Sequence, residues 1–302
     1  MNSADDTAIV RSYAKVNLTL DVLGKRPDGF HSIESVMQSI SLHDTLTLGL
    51  GDEPGIRVTC DVPGIPTGEE NLAQQAASLF FERLGVAPGL DIRIEKRIPP
   101  EAGLGGGSSN AAAVLRGLNQ LLGSAVADQA ELSDLAARIG SDVPFFLVGG
   151  TAFVRGRGED VQPLPDIRPR WLVIAKPSFG VFTAWAYRRL DEIRVAEQYY
   201  YSRGMLECVE NENCERLSQL LGNDLEIPAL DRYGEIAAIK ETLIGAGACG
   251  ALMCGSGSAV FGLFAGEDEA RQAADRLARS EVELFVAKTI SRGEALDGSM
   301  GE

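Results

Sequence analysis

The stretch PPEAGLGGGSSNAAAVLRGLNQLL, residues 99–122, decides how the rest of the chain is read. Gly103, Gly105, Gly106 and Gly107 crowd around Leu104, and the two serines that follow run straight into an alanine-rich segment. Ala111, Val114, Leu115, Leu118, Leu121 and Leu122 recur at helical spacing, so a helix begins where the glycines end, with Ser108, Ser109 or Asn110 available as its cap. Just upstream, Leu90, Ile92 and Ile94 alternate with Asp91, Arg93 and Glu95, the period of a strand. Strand, bare backbone and helix start together describe an anion cradle. Glycines admit a close approach, unpaired N–H groups point outward, and the helix dipole favours negative charge. Phosphate is the natural occupant. No Gly-Lys-Ser/Thr follows, as a P-loop requires, and Ser108 stands where a dinucleotide fingerprint needs glycine or alanine.

Composition narrows the alternatives. The chain has 302 residues, enough for about two domains, and its 45% hydrophobic and 24% charged residues are those of an ordinary globular protein. The net charge of −15 argues against nucleic acid or an anionic membrane as partner. Apolar runs such as 143–148 are too short to span a bilayer, and residues 1–8 carry Asp5 and Asp6 in place of a basic leader, so a cytoplasmic protein is expected. Five cysteines, Cys60, Cys208, Cys214, Cys249 and Cys254, form no C-x-x-C pair and are expected as reduced core thiols.

Outward from the loop, residues 11–23 alternate as a half-buried strand. Val16, Leu18, Leu20 and Val22 lie on one face; Lys15, Asn17, Thr19 and Asp21 lie on the other. Residues 26–31, RPDGFH, carry an Asp-Gly turn signal. Further strands are expected at 45–50, 55–60, 151–154 and 171–175, and in 258–264 and 284–290; helices at 71–84, 131–139, 184–193 and 215–221. Three prolines in 161–169 place a boundary between an N-terminal domain, 1–163, and a C-terminal one, 164–302. Strands in blocks mixed with helices favour an α+β class. The tail 293–302 is expected to be disordered. His43 reads as a strand-end surface residue, Arg155 and Arg157 as a solvated turn, and Tyr199 to Tyr201 as an aromatic cluster without a role.

With these residues in view, PPEAGLGGGSSNAA resembles the phosphate motif of the GHMP kinases, which phosphorylate small molecules with ATP and a magnesium ion. AKVNLTL, RPDGFHSIESVMQSISLHDTL, IGSDVPFFLVGGTAFVRGRGE and CGSGSAVFGLF resemble, in order and spacing, a branch of that family acting on a cytidine diphosphate-linked methylerythritol in the non-mevalonate isoprenoid route. The resemblance spans nearly the whole chain. It implies a two-domain α+β fold with the active site in the cleft between domains. It also implies that Pro99, Pro100, Glu101, Ala102, Gly103, Leu104, Gly105, Gly106, Gly107, Ser108 and Ser109 bind ATP.

Asp142 matches the family's general base, a role needing a carboxylate within hydrogen-bond reach of the acceptor hydroxyl. Lys15 matches the lysine paired with it, offering positive charge to the carboxylate and to a developing alkoxide. Asp142 also suits a helix N-cap, with Pro144 in the first turn. Phe30 and His31 match the positions that recognise cytosine; Phe30 replaces a common tyrosine and keeps the stacking face without the hydroxyl. Tyr187 stands as a second aromatic wall, Asn17 as a substrate-orienting amide, and Gly255, Ser256 and Gly257 as a small-residue loop against substrate phosphates. Magnesium is expected to take its ligands mostly from phosphates and water, because the sequence offers no carboxylate cluster; Glu101 is not assigned to it.

Overall fold

The computed structural model describes residues 7–123, 127–193, 200–211, 216–278 and 281–297. Its first half is built on one long strand. After β1 (Thr7–Asn17) and β2 (Thr19–Lys25), β3 runs from His31–Gly51 and pairs antiparallel with β1 along Met37 to Gly49, and with β2 at its start. On the other edge of β3 lie β5 (Gly89–Glu95), opposite residues 45–51, and β6 (Thr151–Gly156), opposite residues 33–38. The strands β4 (Gly55–Cys60) and β7 (Asp160–Pro163) extend the sheet beyond β5 and β6.

One face of this sheet is covered by α1 (Leu72–Leu84), α2 (Gly106–Leu121), α3 (Gln129–Ile139) and α4 (Val143–Val148). Asn71 opens α1 by accepting from the Ala73 N–H at 2.9 Å, and Asp128 with Glu131 forms a capping box on α3. Leu46, Leu48, Ile92 and Ile94 meet Ala111, Val114, Leu115 and Leu118 there in a dry core.

The second half has an antiparallel sheet in the order β10, β11, β8, β12: Gly250–Met253, Val260–Phe264, Trp171–Pro177 and Val282–Lys288. Strand alternation splits β8 between two cores. Leu172 and Ile174 pack toward Val16, Leu18, Val36 and Ile40 of the first sheet; Val173 faces the outer helices. Those helices include α5 (Thr183–Ile193), α7 (Glu226–Arg232), α8 (Gly234–Gly245) and α9 (Glu267–Leu277). Between α5 and α7 the chain forms α6 (Tyr201–Glu210), a 3-10 turn at Leu217–Gln219 and the short β9 (Gly222–Asn223), which pairs parallel with β2. The gap on β3 between β5 and β6 is closed from the second half, where Ile290 N–H donates to the Ser39 carbonyl at 3.0 Å. The architecture is α+β.

Several expectations need correction. Residues 11–23 are not merely half-buried: Lys15, Asn17, Thr19 and Asp21 are buried too, because the second half packs over them. Asp21 accepts from the Tyr201 and Ser202 N–H groups at 2.8 Å each, so it caps α6. Of the helix expected at 215–221, only the 3-10 turn forms, and Glu215 lies outside the described residues. The supposedly disordered tail begins with α10 (Arg292–Leu296), held by a Ser291–Glu294 capping box. His43 is inside β3 beside a bulge, its Nδ1 paired with the Ser41 carbonyl at 2.8 Å. Cys208 is disulfide-bonded, against the expectation of five reduced thiols, and Cys214 lies outside the described residues. Cys60, Cys249 and Cys254 are free, but Cys249 is exposed and only Cys254 of the three is fully buried. Tyr199 is outside the described residues, Tyr200 is exposed, and Tyr201 begins α6.

Candidate active site

The glycine loop turns on backbone that only glycine accommodates. Gly103 has φ of +75°, and a Cβ there would overlap the Cys254 carbonyl oxygen. Gly105, φ +73°, is the N-cap of α2, and no side chain caps that helix. Ser108, Ser109 and Asn110 therefore do not serve as the cap. Ser109 and Asn110 turn inward instead: Ser109 Oγ donates to the Tyr13 carbonyl at 2.6 Å, and Asn110 Nδ2 donates to Ser12 Oγ and the Asp44 carboxylate at 2.8 Å each. The helix is thereby anchored to β1 and β3 from below, while its first N–H groups are left for something else.

Asp44 is the hub of that anchorage. It is fully buried, accepts from the Arg97 and Ile98 N–H groups at 2.7 and 2.8 Å, and pairs with Lys96. It fixes the segment entering the loop. On the exit side, the Lys15 N–H donates to the Leu104 carbonyl at 3.0 Å, tying the loop to β1.

A cavity of about 800 Å³ opens beside the loop, lined by both halves of the molecule. Glu101, Gly103 and Gly105 contribute from the loop, Lys15 and Asn17 from the end of β1, and Phe30 and His31 from the turn into β3. Ser141 and Asp142 enter from the start of α4, Arg157 from the turn after β6, and Thr183, Tyr187 and Asp191 from α5. Gly255, Ser256 and Gly257 close the side.

Lys15 is 3% exposed, and its Nζ donates to Asn17 Oδ1 at 2.7 Å. Asn17 Nδ2 in turn donates to Ser35 Oγ at 2.8 Å, so a buried polar chain fixes where the ammonium points. Asp142 Oδ2 stands 3.5 Å from that Nζ. Asp142 does occupy the N-cap position of α4, with Pro144 in the first turn, yet its carboxylate makes no capping bond and faces the cavity.

The 255–257 loop lies over the same ammonium; a Cβ on Gly255 would be 3.3 Å from Lys15 Nζ. Asn223 Nδ2 holds it by donating to the Met253 and Gly255 carbonyls at 3.0 and 2.7 Å, and Thr183 Oγ1 pairs with Ser256 Oγ at 2.8 Å.

At the other end, Phe30 is 51% exposed and the Arg157 guanidinium sits 5.0 Å from its ring centre. Arg157 is thus part of the cavity wall, contrary to the expected solvated turn; Arg155 does remain outside, paired with Asp160 at 2.9 Å. Tyr187 stacks on His31, with ring centres 4.8 Å apart and planes at 24°. Burial pushes the Tyr187 phenol well above its usual range, and the Asp142 charge adds to that, so the hydroxyl keeps its proton. His31 Nε2 bonds both Asp191 oxygens, at 2.9 and 3.0 Å.

The structure does not bring every expected residue to this cavity. Pro99 and Pro100 line a separate hollow of about 530 Å³ with Lys176, whose ammonium is lowered by burial and donates to the Pro177 and Phe179 carbonyls at 2.7 and 2.9 Å. Ala102, Leu104 and Ser109 have buried side chains, so only their backbone is available to a ligand. Gly106, Gly107 and Ser108 lie in the first turn of α2. Asp191 was not singled out from sequence, and Arg157 was read there only as part of a solvated turn. Asp191 follows Tyr187 by four residues on one helix, a spacing that places both on one face. Among the described residues no group of three or more His, Cys, Asp or Glu side chains is poised to hold a metal ion, and no helix is long and apolar enough to cross a membrane.

A glycine-rich loop opening a helix, a buried lysine beside a carboxylate and an aromatic cleft thus meet in one cavity, and comparison with known proteins gives the class of protein. Residues 71–150 match the GHMP kinases N terminal domain and residues 205–283 match GHMP kinases C terminal. The chain belongs to the GHMP kinase family, whose members are ATP-dependent small-molecule kinases. It is 44% identical over 92% of its length to the 4-diphosphocytidyl-2-C-methyl-D-erythritol kinase of Geobacter metallireducens, covering 96% of that protein. With the enzyme of the same name from Pelotomaculum thermopropionicum it shares 45% identity, over 94% of this chain and 98% of the relative. A crystal structure of a 4-(cytidine 5'-diphospho)-2C-methyl-D-erythritol kinase superposes with a TM-score of 0.78 at 37% identity, covering 93% of this chain and 99% of that one.

Proposed function

We propose that this chain transfers the γ-phosphoryl group of ATP to the 2-hydroxyl of 4-diphosphocytidyl-2-C-methyl-D-erythritol, a step of non-mevalonate isoprenoid precursor biosynthesis. The observation that carries the reading is the Lys15–Asp142 pair at 3.5 Å in the cavity that the glycine loop borders. The near-full-length similarity to enzymes of that name supports the choice of substrate.

ATP supplies an electrophilic phosphorus and a leaving group. The uncapped start of α2 and the backbone of Gly103 to Ser109 bind its phosphates, since N–H groups at a helix N-terminus suit an anion. Asp142 accepts the proton of the attacking hydroxyl, and Lys15 offsets the negative charge that develops on oxygen. Asn17 holds the ammonium in place through its 2.7 Å hydrogen bond. Phe30 and His31 bind the cytosine ring, with Arg157 behind Phe30 and Tyr187 behind His31. Gly255, Ser256 and Gly257 contact the diphosphate. The residues present would suit a magnesium ion brought with the nucleotide: Asp142 and Glu101 are carboxylates of the cavity lining, and the ion would take most of its oxygen ligands from phosphates and water and offset their charge. We place the division between the two domains at 163/164, after β7.

The test is an ADP-release assay with ATP, magnesium and a panel of 4-diphosphocytidyl-2-C-methyl-D-erythritol, homoserine and mevalonate. The cytidylyl substrate is expected to win in kcat/KM by orders of magnitude. Equal use of the three would overturn the assignment.

A further inference from the structure

The Asp191–His31 contact lies between the two halves of the molecule and is not used by the phosphoryl-transfer chemistry. Its geometry is specific. Both carboxylate oxygens sit at 2.9 and 3.0 Å from one ring nitrogen, Nε2, and the His31 side chain is 9% exposed. The imidazole is also pinned face-on by Tyr187, at 4.8 Å and 24°. Tyr187 and Asp191 are one helical turn apart on α5, so a single helix face sets both the plane of the ring and the partner of its Nε2. Nδ1 hydrogen-bonds none of the described residues, and His31 lines the cavity.

A carboxylate accepts and cannot donate, so the nitrogen facing it carries the hydrogen. A neutral imidazole with its hydrogen on Nε2 has its lone pair on Nδ1, and the partner of one nitrogen thereby decides what the other can do. A lone pair at Nδ1 matches an amino group on a ligand ring and repels a carbonyl at the same place.

We infer that Asp191 is a specificity-determining positioning residue: by holding the His31 hydrogen on Nε2, it makes Nδ1 an acceptor that selects the exocyclic amine of a cytosine base over the carbonyl of uracil. The inference rests on the reading of His31 as a base-recognising residue. Both Asp191 oxygens are taken up by His31 Nε2, so it acts through the imidazole. A site built to pair with a polar group rejects the analogue that lacks it strongly, because the mismatch strands buried polar atoms.

The experiment compares the full chain with Asp191→Asn, Asp191→Glu and His31→Ala, using 4-diphosphocytidyl-2-C-methyl-D-erythritol and its uridine counterpart, with thermal melts to verify folding. In the unaltered protein the cytidine compound is expected to dominate, and the ¹⁵N spectrum of His31 is expected to show hydrogen on Nε2 alone. Asp191→Asn, whose amide can donate as well as accept, is expected to raise the cytidine KM about 10-fold and to narrow the cytidine-to-uridine ratio of kcat/KM by about 10-fold or more, with kcat within about 2-fold. Asp191→Glu should restore most of the ratio. If His31→Ala raises the cytidine KM but Asp191→Asn leaves KM and ratio unchanged, or if the spectrum places hydrogen on Nδ1, the role of Asp191 is overturned and the base-recognition reading stands. If His31→Ala leaves the cytidine KM unchanged, both fall together.

Discussion

Asp142 stands at the N-cap of α4 without capping it, and its Oδ2 lies 3.5 Å from Lys15 Nζ across the boundary between α4 and β1. Asparagine or serine would suit the cap at least as well as aspartate. The carboxylate is therefore better explained by what it faces, a 3%-exposed ammonium at the mouth of a glycine-rich loop, than by the helix it precedes.

Lys15→Met keeps the length and packing of the side chain and removes its charge. The expected outcome is a fall in kcat of about 10²-fold or more, the usual scale for removing one electrostatic stabiliser of a transition state, with ATP affinity changed far less. Stopped-time ADP release together with nucleotide titration measures both; an unchanged kcat would remove Lys15 from the mechanism.

Phe30 offers an exposed ring backed by Arg157. Stacking of a base on an aromatic ring contributes about 1–3 kcal/mol, so Phe30→Ala should raise the KM of the cytidylyl substrate by about 5- to 150-fold, with kcat near its original value. Phe30→Tyr should change KM by less than about 3-fold, because the stacking face is kept. Arg157→Ala should have the smaller effect of a partly exposed cation–π contact, about 2- to 5-fold. A Phe30→Ala variant with normal KM would place the base elsewhere.

Gly103 and Gly107 sit four residues apart in the same loop-to-helix stretch but differ in what a methyl group would meet. At Gly103 it would strike the Cys254 carbonyl with φ at +75°; at Gly107 the nearest atom is Leu72 Cδ1 at 3.7 Å. Gly103→Ala should lower Tm by several degrees or prevent folding, and Gly107→Ala should leave Tm unchanged or raise it slightly. Calorimetry of the pair checks the contrast, and equal melts would contradict the described loop geometry.

Tyr187 gives a pH signature. Its phenol is held above the usual value of about 10 by burial first and by the Asp142 charge second. A group whose folded value is raised contributes stability that is whole below the unfolded value and drains away as pH climbs past it. Denaturation midpoints of the unaltered protein should therefore fall more steeply than those of Tyr187→Phe between about pH 9 and pH 11. Parallel curves would show that the phenol is not sequestered.

How much of this was legible in the sequence depends on how local each signal is. The loop and α2 were, because glycine spacing and a 3.6-residue period are written within one element, though the capping by Ser108, Ser109 or Asn110 was not: tertiary bonds to Tyr13, Ser12 and Asp44 claim Ser109 and Asn110. The first half of β3 escaped notice since Ser35, Gln38 and Ser39 break the apolar alternation, yet all three are buried and hydrogen-bonded within the fold. Residues 11–23 read as only half-buried for the same reason. Asp191 and Arg157 join Phe30 and His31 only through packing of residues far apart in the chain, which no periodicity records.

The most direct test of the account is the turnover and ATP affinity of Asp142→Asn, an isosteric change that removes the proton acceptor. If Asp142 is the proton acceptor, kcat falls about 10²–10⁴-fold while ATP binds within about 3-fold of its original affinity. Turnover within a few-fold of the unaltered enzyme would contradict it.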